Sequence, residues 1–344
     1  MVLGKRRMWG VAASISMLAL IATACGSNGG TGSGNGGTGD GLTGSILVSG
    51  SSTVQPITDL VAELFIEQAP DVQISVDGPG TSDGFVLFCD GETDVQDASR
   101  AISEEEIAAC QANGVEYAEL EVAFDGITVM TNPANTIECL TTADLYALMG
   151  PESEGFESWS DANGLARELG GTDSFPDSPL EITAPGEESG TYDAFLELAG
   201  FEDFGVAHGL SEDAAAVMRP DYQSSANDNV ILQAIEGTPS ALGYVGFAYA
   251  EEGGDTVKEV AVDAGDGCVA PSRETIADGS YPLSRSLHIY VNKAKAAQSP
   301  ALKAFVDYYI SDDGLTLAVT EAGYVELPPE RIDGTRSTWE SAGV

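Results

Sequence analysis

Three times this chain runs an apolar, strand-like segment into a loop of small hydroxylated residues and out into a helix-like segment. The clearest case is 185–195, PGEESGTYDAF. Leu180, Ile182 and Ala184 lead into it, and Phe195, Leu196 and Leu198 lead out to Gly200. A strand that turns through Ser189, Gly190 and Thr191 into a helix leaves backbone N–H groups unpaired at one point. The helix dipole adds partial positive charge there, which makes a seat for an anion. One such loop is no more than an N-cap asks for. In a second, Ile46-Leu47-Val48 precedes Gly50-Ser51-Ser52-Thr53-Val54, and Gln55-Pro56 opens a helix. Pro suits the first helical turn, and Ile57, Leu60, Val61, Leu64 and Phe65 follow at helical spacing. In a third, Val72, Ile74 and Val76 alternate before GPGTSDG at 78–84 and the run Phe85–Phe88. In an open α/β sheet such loops gather at the carboxyl ends of strands, where ligands bind.

The two ends of the chain frame this body. Of 344 residues, 1–24 read as a signal segment: Lys5, Arg6 and Arg7 precede an apolar stretch from Val11 to Ala24 that is too short to span a membrane. Cys25 follows at the cleavage point, as in a bacterial lipoprotein whose thiol carries lipid, although Ala22 stands where Leu is usual. Ordinary cleavage beside an incidental Cys is the competing reading. Residues 25–44 are Gly-rich and read as a flexible tether. The remaining length suits two domains of ordinary size.

Composition narrows the partners. The formal net charge is −41; without Lys5, Arg6 and Arg7, 11 Lys and Arg face 55 Asp and Glu, a charge of −44. Nucleic acid is excluded as a partner. An anion site in such a chain must rest on short, pre-aimed hydrogen bonds, because its long-range field repels anions. Setting Cys25 aside, Cys89, Cys110, Cys139 and Cys268 remain, an even number that points to two disulfides in an exported protein. Of the three pairings, Cys89–Cys110 with Cys139–Cys268 is favoured because each bond then staples one region. No Cys or His spacing suggests a metal, and nothing calls for a cofactor.

Along the rest of the chain, Ser103 with Glu106 forms a capping box before a helix to Cys110. Val122–Val129 reads as a strand around Asp125-Gly126 that carries the chain between domains. Thr141 or Thr142 caps a helix through Leu148, and Trp159 anchors a polar stretch to a core. Asn227, Asp228 and Asn229 precede a helix, and Leu287, Ile289 and Val291 alternate as a strand leading back. Alternating strands and helices give an α/β architecture.

GSSTVQP, GPGTSDGF, ETDVQDASRAI, EESGTYDAF and DNVILQAIEGTPSALGYVGFAYAEE together resemble the phosphate-binding protein (PstS) family of the bacterial high-affinity phosphate ABC transporter, over about Ile46–Leu327. The resemblance implies a two-domain type II periplasmic-binding-protein fold with two crossover strands and a ligand in the interdomain cleft. The expected domains are 45–125 with 287–344, and 126–286. By position it implies phosphate contacts from Ser52, Thr53 and Val54, from Thr81 and Ser82, and from Ser189, Gly190 and Thr191. It also implies no enzymatic activity, a monomer outside the cytoplasmic membrane held by its lipid, and docking on ABC permease subunits.

The sequence departs from the family pattern twice. Arg100 follows Ala98-Ser99 where an Asp is usual, and Pro185 stands where an Arg is usual. Arg100 is therefore expected to be the charged clamp, planar and bidentate; its alternative role is to pair with Asp97 or Asp94. The missing Asp would have accepted the proton of hydrogen phosphate, so Asp83 or Asp228 is the candidate replacement. Each is equally placed to cap a helix.

Two other functions fit parts of the sequence. GTSDG at 80–84 matches the GxSxG elbow of a secreted serine hydrolase, with Ser82 as nucleophile, Asp228 or Asp263 as acid and His288 as base. Against this stand only two His in the chain and 41 Gly, among which the pattern arises easily. A general oxyanion receptor or sensor would keep the fold and the anion seat.

Overall fold

The computed structural model describes residues 41–344 apart from Asp173 and Glu188. The expected signal segment, Cys25 and the tether up to residue 40 lie outside the described residues.

The strands are β1 (Gly44–Gly50), β2 (Val72–Asp77), β3 (Val95–Ala98), β4 (Tyr117–Thr131), β5 (Cys139–Thr141), β6 (Glu181–Ala184), β7 (Gln223–Ser224), β8 (Ala241–Gly246), β9 (Lys258–Glu259), β10 (Ala261–Asp263) and β11 (Ser284–Asn292). All but β5 and β10 form one curled sheet in the order β2-β1-β3-β11-β4-β8-β6-β7, with β9 on β4. The first helices are α1 (Gln55–Gln68), α2 (Thr81–Cys89), α3 (Glu104–Ala112), α4 (Thr142–Met149), α5 (Asn163–Glu168) and α6 (Gly190–Leu198).

β4 is long because it serves two cores. Its first part, Tyr117–Gly126, pairs with β11, and Ile127–Thr131 pairs with β8. Ala118, Leu120, Val122 and Ala123 join a core with Ile57, Val61 and Phe65. Phe124, Ile127 and Val129 join another with Trp159, Phe195 and Tyr244. β11 makes the same change of core: Leu283 just before it belongs with Trp159, whereas Leu287, Ile289 and Val291 belong with Ile57. Each fully buried aliphatic or aromatic side chain contributes about 1.5–3 kcal/mol, so each core is a sizeable holding in its own right. The result is the expected mixed α/β architecture, two lobes joined by crossover strands. A third piece of chain joins them. Phe124 and Val325 exchange backbone hydrogen bonds, each 2.9 Å long, and Val325 and Leu327 pack in the Trp159 core.

Local expectations from the sequence reappear with their causes visible. Ser103 and Glu106 form the capping box of α3, and Thr141 with Asp144 forms that of α4. Asn227 caps the helix Asp228–Gly237. Trp159 is buried, and its indole N–H donates to the Ser240 carbonyl at 2.9 Å. Cys89 is bonded to Cys110, and Cys139 to Cys268. Among the described residues, no helix is long and apolar enough to cross a membrane.

Two glycines set how closely α2 meets the sheet. Gly50 ends β1 at φ +140°, and a Cβ on it would overlap the Asp97 carbonyl. A Cβ on Gly84 would come within 2.5 Å of Gly50 Cα. The close approach brings the start of α2 beside the end of β1.

Candidate functional site

The first two loops meet Ser99, Arg100 and Arg285 around a cavity of about 390 Å³. Ser51, Ser52 and Thr53 line it from the end of β1, and Pro79 to Asp83 line it from the start of α2. Asp193 and Glu197 come from α6.

The start of α2 is the least satisfied part of the wall. Its N-cap is Gly80, at φ +111°, and no side chain caps it. The first N–H groups of a helix lack internal partners, so this end presents donors and dipole to the cavity. The Thr81 hydroxyl lies 3.1 Å from the Ser99 hydroxyl and accepts from the Ser99 N–H at 3.2 Å. Ser99 is buried at the cavity wall, and the sequence reading did not include it.

Arg100 lines the cavity, and its Nη2 donates to Ser82 Oγ at 3.0 Å. Its partner is neither Asp97 nor Asp94. Nη1 and Nη2 each donate to a Glu106 oxygen at 2.8 Å, a bidentate pair. That pairing holds the Arg100 pKa up. Asp94 is taken by Lys295 at 3.0 Å.

Arg285 is the cation that the sequence reading missed. It stands on β11 opposite Asp125 of β4, with only 9% of its side chain exposed. Nε faces Asp125 Oδ2 at 3.3 Å, Nη1 faces Glu197 Oε2 at 2.6 Å, and Nη2 donates to Thr53 Oγ1 at 3.1 Å. Burial works to lower its pKa, but Asp125 and Glu197 outweigh that and hold it above the ordinary value. Its signal in the sequence was a basic residue at the head of an alternating strand, in a chain with few basic residues.

The other expected contacts are placed as follows. Val54 is buried outside the cavity lining, and its N–H turns back to the Ser51 carbonyl at 3.2 Å. Ser189 Oγ accepts from the Thr191 N–H at 3.2 Å, so here the hydroxyl caps its own helix. Gly190 packs against the first loop: a Cβ on it would sit 3.7 Å from the Ser52 carbonyl oxygen. The third loop thus closes on the first, and the cavity wall on that side is made by Asp193 and Glu197. Burial raises the Asp193 carboxyl, with Arg285 opposing. Of the two candidate proton acceptors, Asp83 lines the cavity, whereas Asp228 opens its helix and is not part of the lining.

The hydrolase arrangement is not assembled. Ser82 Oγ is bonded to Arg100, and His288 Nε2 lies 2.7 Å from Ser286 Oγ. Asp263 Oδ1 accepts from the Gly265 and Gly267 N–H groups. The glycines of GTSDG serve the α2 N-terminus and its packing on Gly50. A larger cavity of about 1020 Å³ lies between β4, β11 and the helix Pro329–Ser341. Glu119, Glu121 and Glu330 outnumber Lys293 and Arg331 in its wall, which unsuits it to anions. Among the described residues no group of three or more His, Cys, Asp or Glu could hold a metal.

Comparison with known proteins gives the family. A model of the PBP superfamily domain matches residues 31–313. Protein SphX of Synechocystis sp. is 40% identical over 289 residues, 83% of this chain and 79% of that protein. The phosphate-binding protein PstS of Staphylococcus saprophyticus is 32% identical over 312 residues, 90% of this chain and 87% of that one. The chain belongs to the PstS family. A crystal structure of a possible phosphate binding protein from Planctomyces limnophilus superposes with a TM-score of 0.78 at 36% identity, covering 88% of this chain and 99% of that chain. PstS of Borrelia burgdorferi, with a TM-score of 0.58 at 22% identity, shares the fold. Membership of the PstS family makes this a solute-binding protein, and the serine hydrolase reading of GTSDG is not supported.

Proposed function

We propose that this protein captures inorganic phosphate in the 390 Å³ cavity and delivers it to an ABC permease for import. The observation that carries the reading is the pairing of two guanidinium groups, Arg100 and Arg285, with an uncapped helix N-terminus and the hydroxyls of Thr53, Thr81 and Ser82 at one cavity. Charge-assisted N–H donors and hydroxyls suit a small tetrahedral oxyanion. Few other anion-binding means are open to so acidic a chain.

In this reading the lobes, 45–125 with 287–344 and 126–286, close on the anion and exclude water, which strengthens each hydrogen bond. Ser189, Gly190 and Thr191 complete the phosphate contacts from the other lobe, where Gly190 already lies against the first loop. Asp83 accepts the proton of hydrogen phosphate in place of the Asp that Arg100 replaces. The protein works outside the cytoplasmic membrane as a monomer, which its two disulfides suit. Lipid on Cys25 holds it at the surface, within reach of the permease.

The test is titration calorimetry on the full chain in mild detergent, stripped of anion, with phosphate and then sulfate. Heat from phosphate alone is expected. Equal affinity for sulfate would make this a general oxyanion receptor, and no heat from either would overturn the reading. Arg100→Ala is expected to weaken phosphate binding roughly tenfold to hundredfold, as loss of a hydrogen-bonded charge does.

A further inference from the structure

The Arg285 guanidinium is engaged on three sides, by Asp125, Glu197 and Thr53. The two carboxylates are not equivalent. The Asp125 side chain is 7% exposed and that of Glu197 is 59% exposed. Asp125 lies on β4, and withdrawing it would leave a charge buried without a partner. Glu197 has water behind it and swings away at little cost. A planar guanidinium holds a tetrahedral oxyanion best through two N–H groups at once. Nε is committed to Asp125. A two-pronged grip must therefore use the Nη edge, and Glu197 holds Nη1 at 2.6 Å.

We propose that Glu197 is an internal competitor for the anion seat, and that it makes the site select a phosphate-like oxyanion over small singly charged anions such as chloride and formate. The inference rests on the phosphate reading. Glu197 carries one charge and is tethered beside Arg285, so its effective concentration there is in the millimolar range or above. A chloride or formate ion offers no more charge than Glu197 and must come from solution. A doubly charged tetrahedral oxyanion offers more charge and more acceptors. It reaches Arg285, Arg100 and the Thr53 and Thr81 hydroxyls together, and Glu197 turns out to solvent. Abundant monoanions are kept out without any change to the donors.

The experiment compares the full wild-type chain with Glu197→Gln and Glu197→Ala by phosphate titration, first in sodium gluconate and then in sodium chloride at equal ionic strength. Thermal unfolding confirms that each variant is folded. In gluconate, both variants are expected to bind phosphate roughly threefold to fivefold more tightly than wild type, the size of one exposed ion pair. In chloride they lose that gain, while wild type is unchanged. Variants at or below wild-type affinity in gluconate, or equal chloride sensitivity in all three proteins, would overturn the inference and leave the phosphate reading standing. Absence of phosphate heat from wild type would overturn both.

Discussion

Nη2 of Arg285 donates a hydrogen bond to the hydroxyl of Thr53 across 3.1 Å, which ties a strand shared by the two cores to the loop that ends β1. The proposed anion seat and the joint between the lobes therefore share one side chain. Arg285→Lys keeps the charge but loses the planar fork that meets Thr53, Asp125 and Glu197 together. Phosphate affinity is expected to fall at least about tenfold, the size of a charge-assisted hydrogen bond. Calorimetry at neutral pH checks this, and unchanged affinity would remove Arg285 from the site.

Gly84 is expected to tolerate no side chain. A Cβ there would come within 2.5 Å of Gly50 Cα, which is backbone and cannot turn aside, and would also press on the buried Gln96 side chain. Gly84→Ala should destabilise the protein by about 1–3 kcal/mol, as overpacking does. It should also weaken phosphate binding, because the start of α2 must move away from β1. A denaturant midpoint equal to wild type would show that the helix has more room than the structure gives it.

Asp97 gives the protein a pH dependence opposite to that of ordinary carboxylates. It is 1% exposed, and neither carboxylate oxygen has a hydrogen bond of good geometry. Burial pushes its pKa up to about 8; the Thr58 hydroxyl, itself 2.9 Å from the Tyr309 hydroxyl, opposes this, and Asp59 adds to it. A carboxyl with a folded pKa above its unfolded value binds its proton more tightly when folded. Its contribution to stability is present at low pH and falls from about pH 4 to pH 8, with no further loss above that. Asp97→Asn should remove this slope and make the protein more stable than wild type at pH 9 by at least about 1 kcal/mol, one pKa unit's worth. Parallel stability curves for the two proteins from pH 5 to pH 9 would refute the assignment.

The two disulfides should differ in weight. Cys139 and Cys268 are 129 residues apart, and Cys89 and Cys110 are 21 apart. Loop-closure entropy gives about 5 kcal/mol for the longer loop and about 3 kcal/mol for the shorter. Replacing Cys139 and Cys268 by Ser should lower the unfolding free energy more than replacing Cys89 and Cys110, as read from urea midpoints. The reverse order would show that strain or residual structure outweighs chain entropy.

What the sequence made legible was local. Helix starts, strand alternation and hydroxyl-rich loops are written in neighbouring residues, and Ser103, Thr141 and Leu287–Val291 stand where their local chemistry puts them. Arg285 was not legible in this way. Its place depends on the register of β11 against β4, which sets it opposite Asp125, 160 residues away. Glu106 was read as half of a capping box, and it also holds Arg100. Ser189 shows a different limit. An N-cap hydroxyl and an anion compete for the same N–H groups, and the sequence of a loop does not say which one has them. At α6 the hydroxyl does; at α2 no side chain does.

The exchange of hydrogen bonds between Phe124 and Val325 changes how the molecule can be deformed. Two crossing strands alone would let one lobe swivel about the other like a panel on a pair of cords. A third segment, bridged to β4 at the single pair Phe124 and Val325, makes that joint three chains wide. A wider joint resists twisting more than bending, which favours opening and shutting of the proposed lobes along one path. In the proposed cycle, each closure then returns Thr53 to the same place beside Arg285.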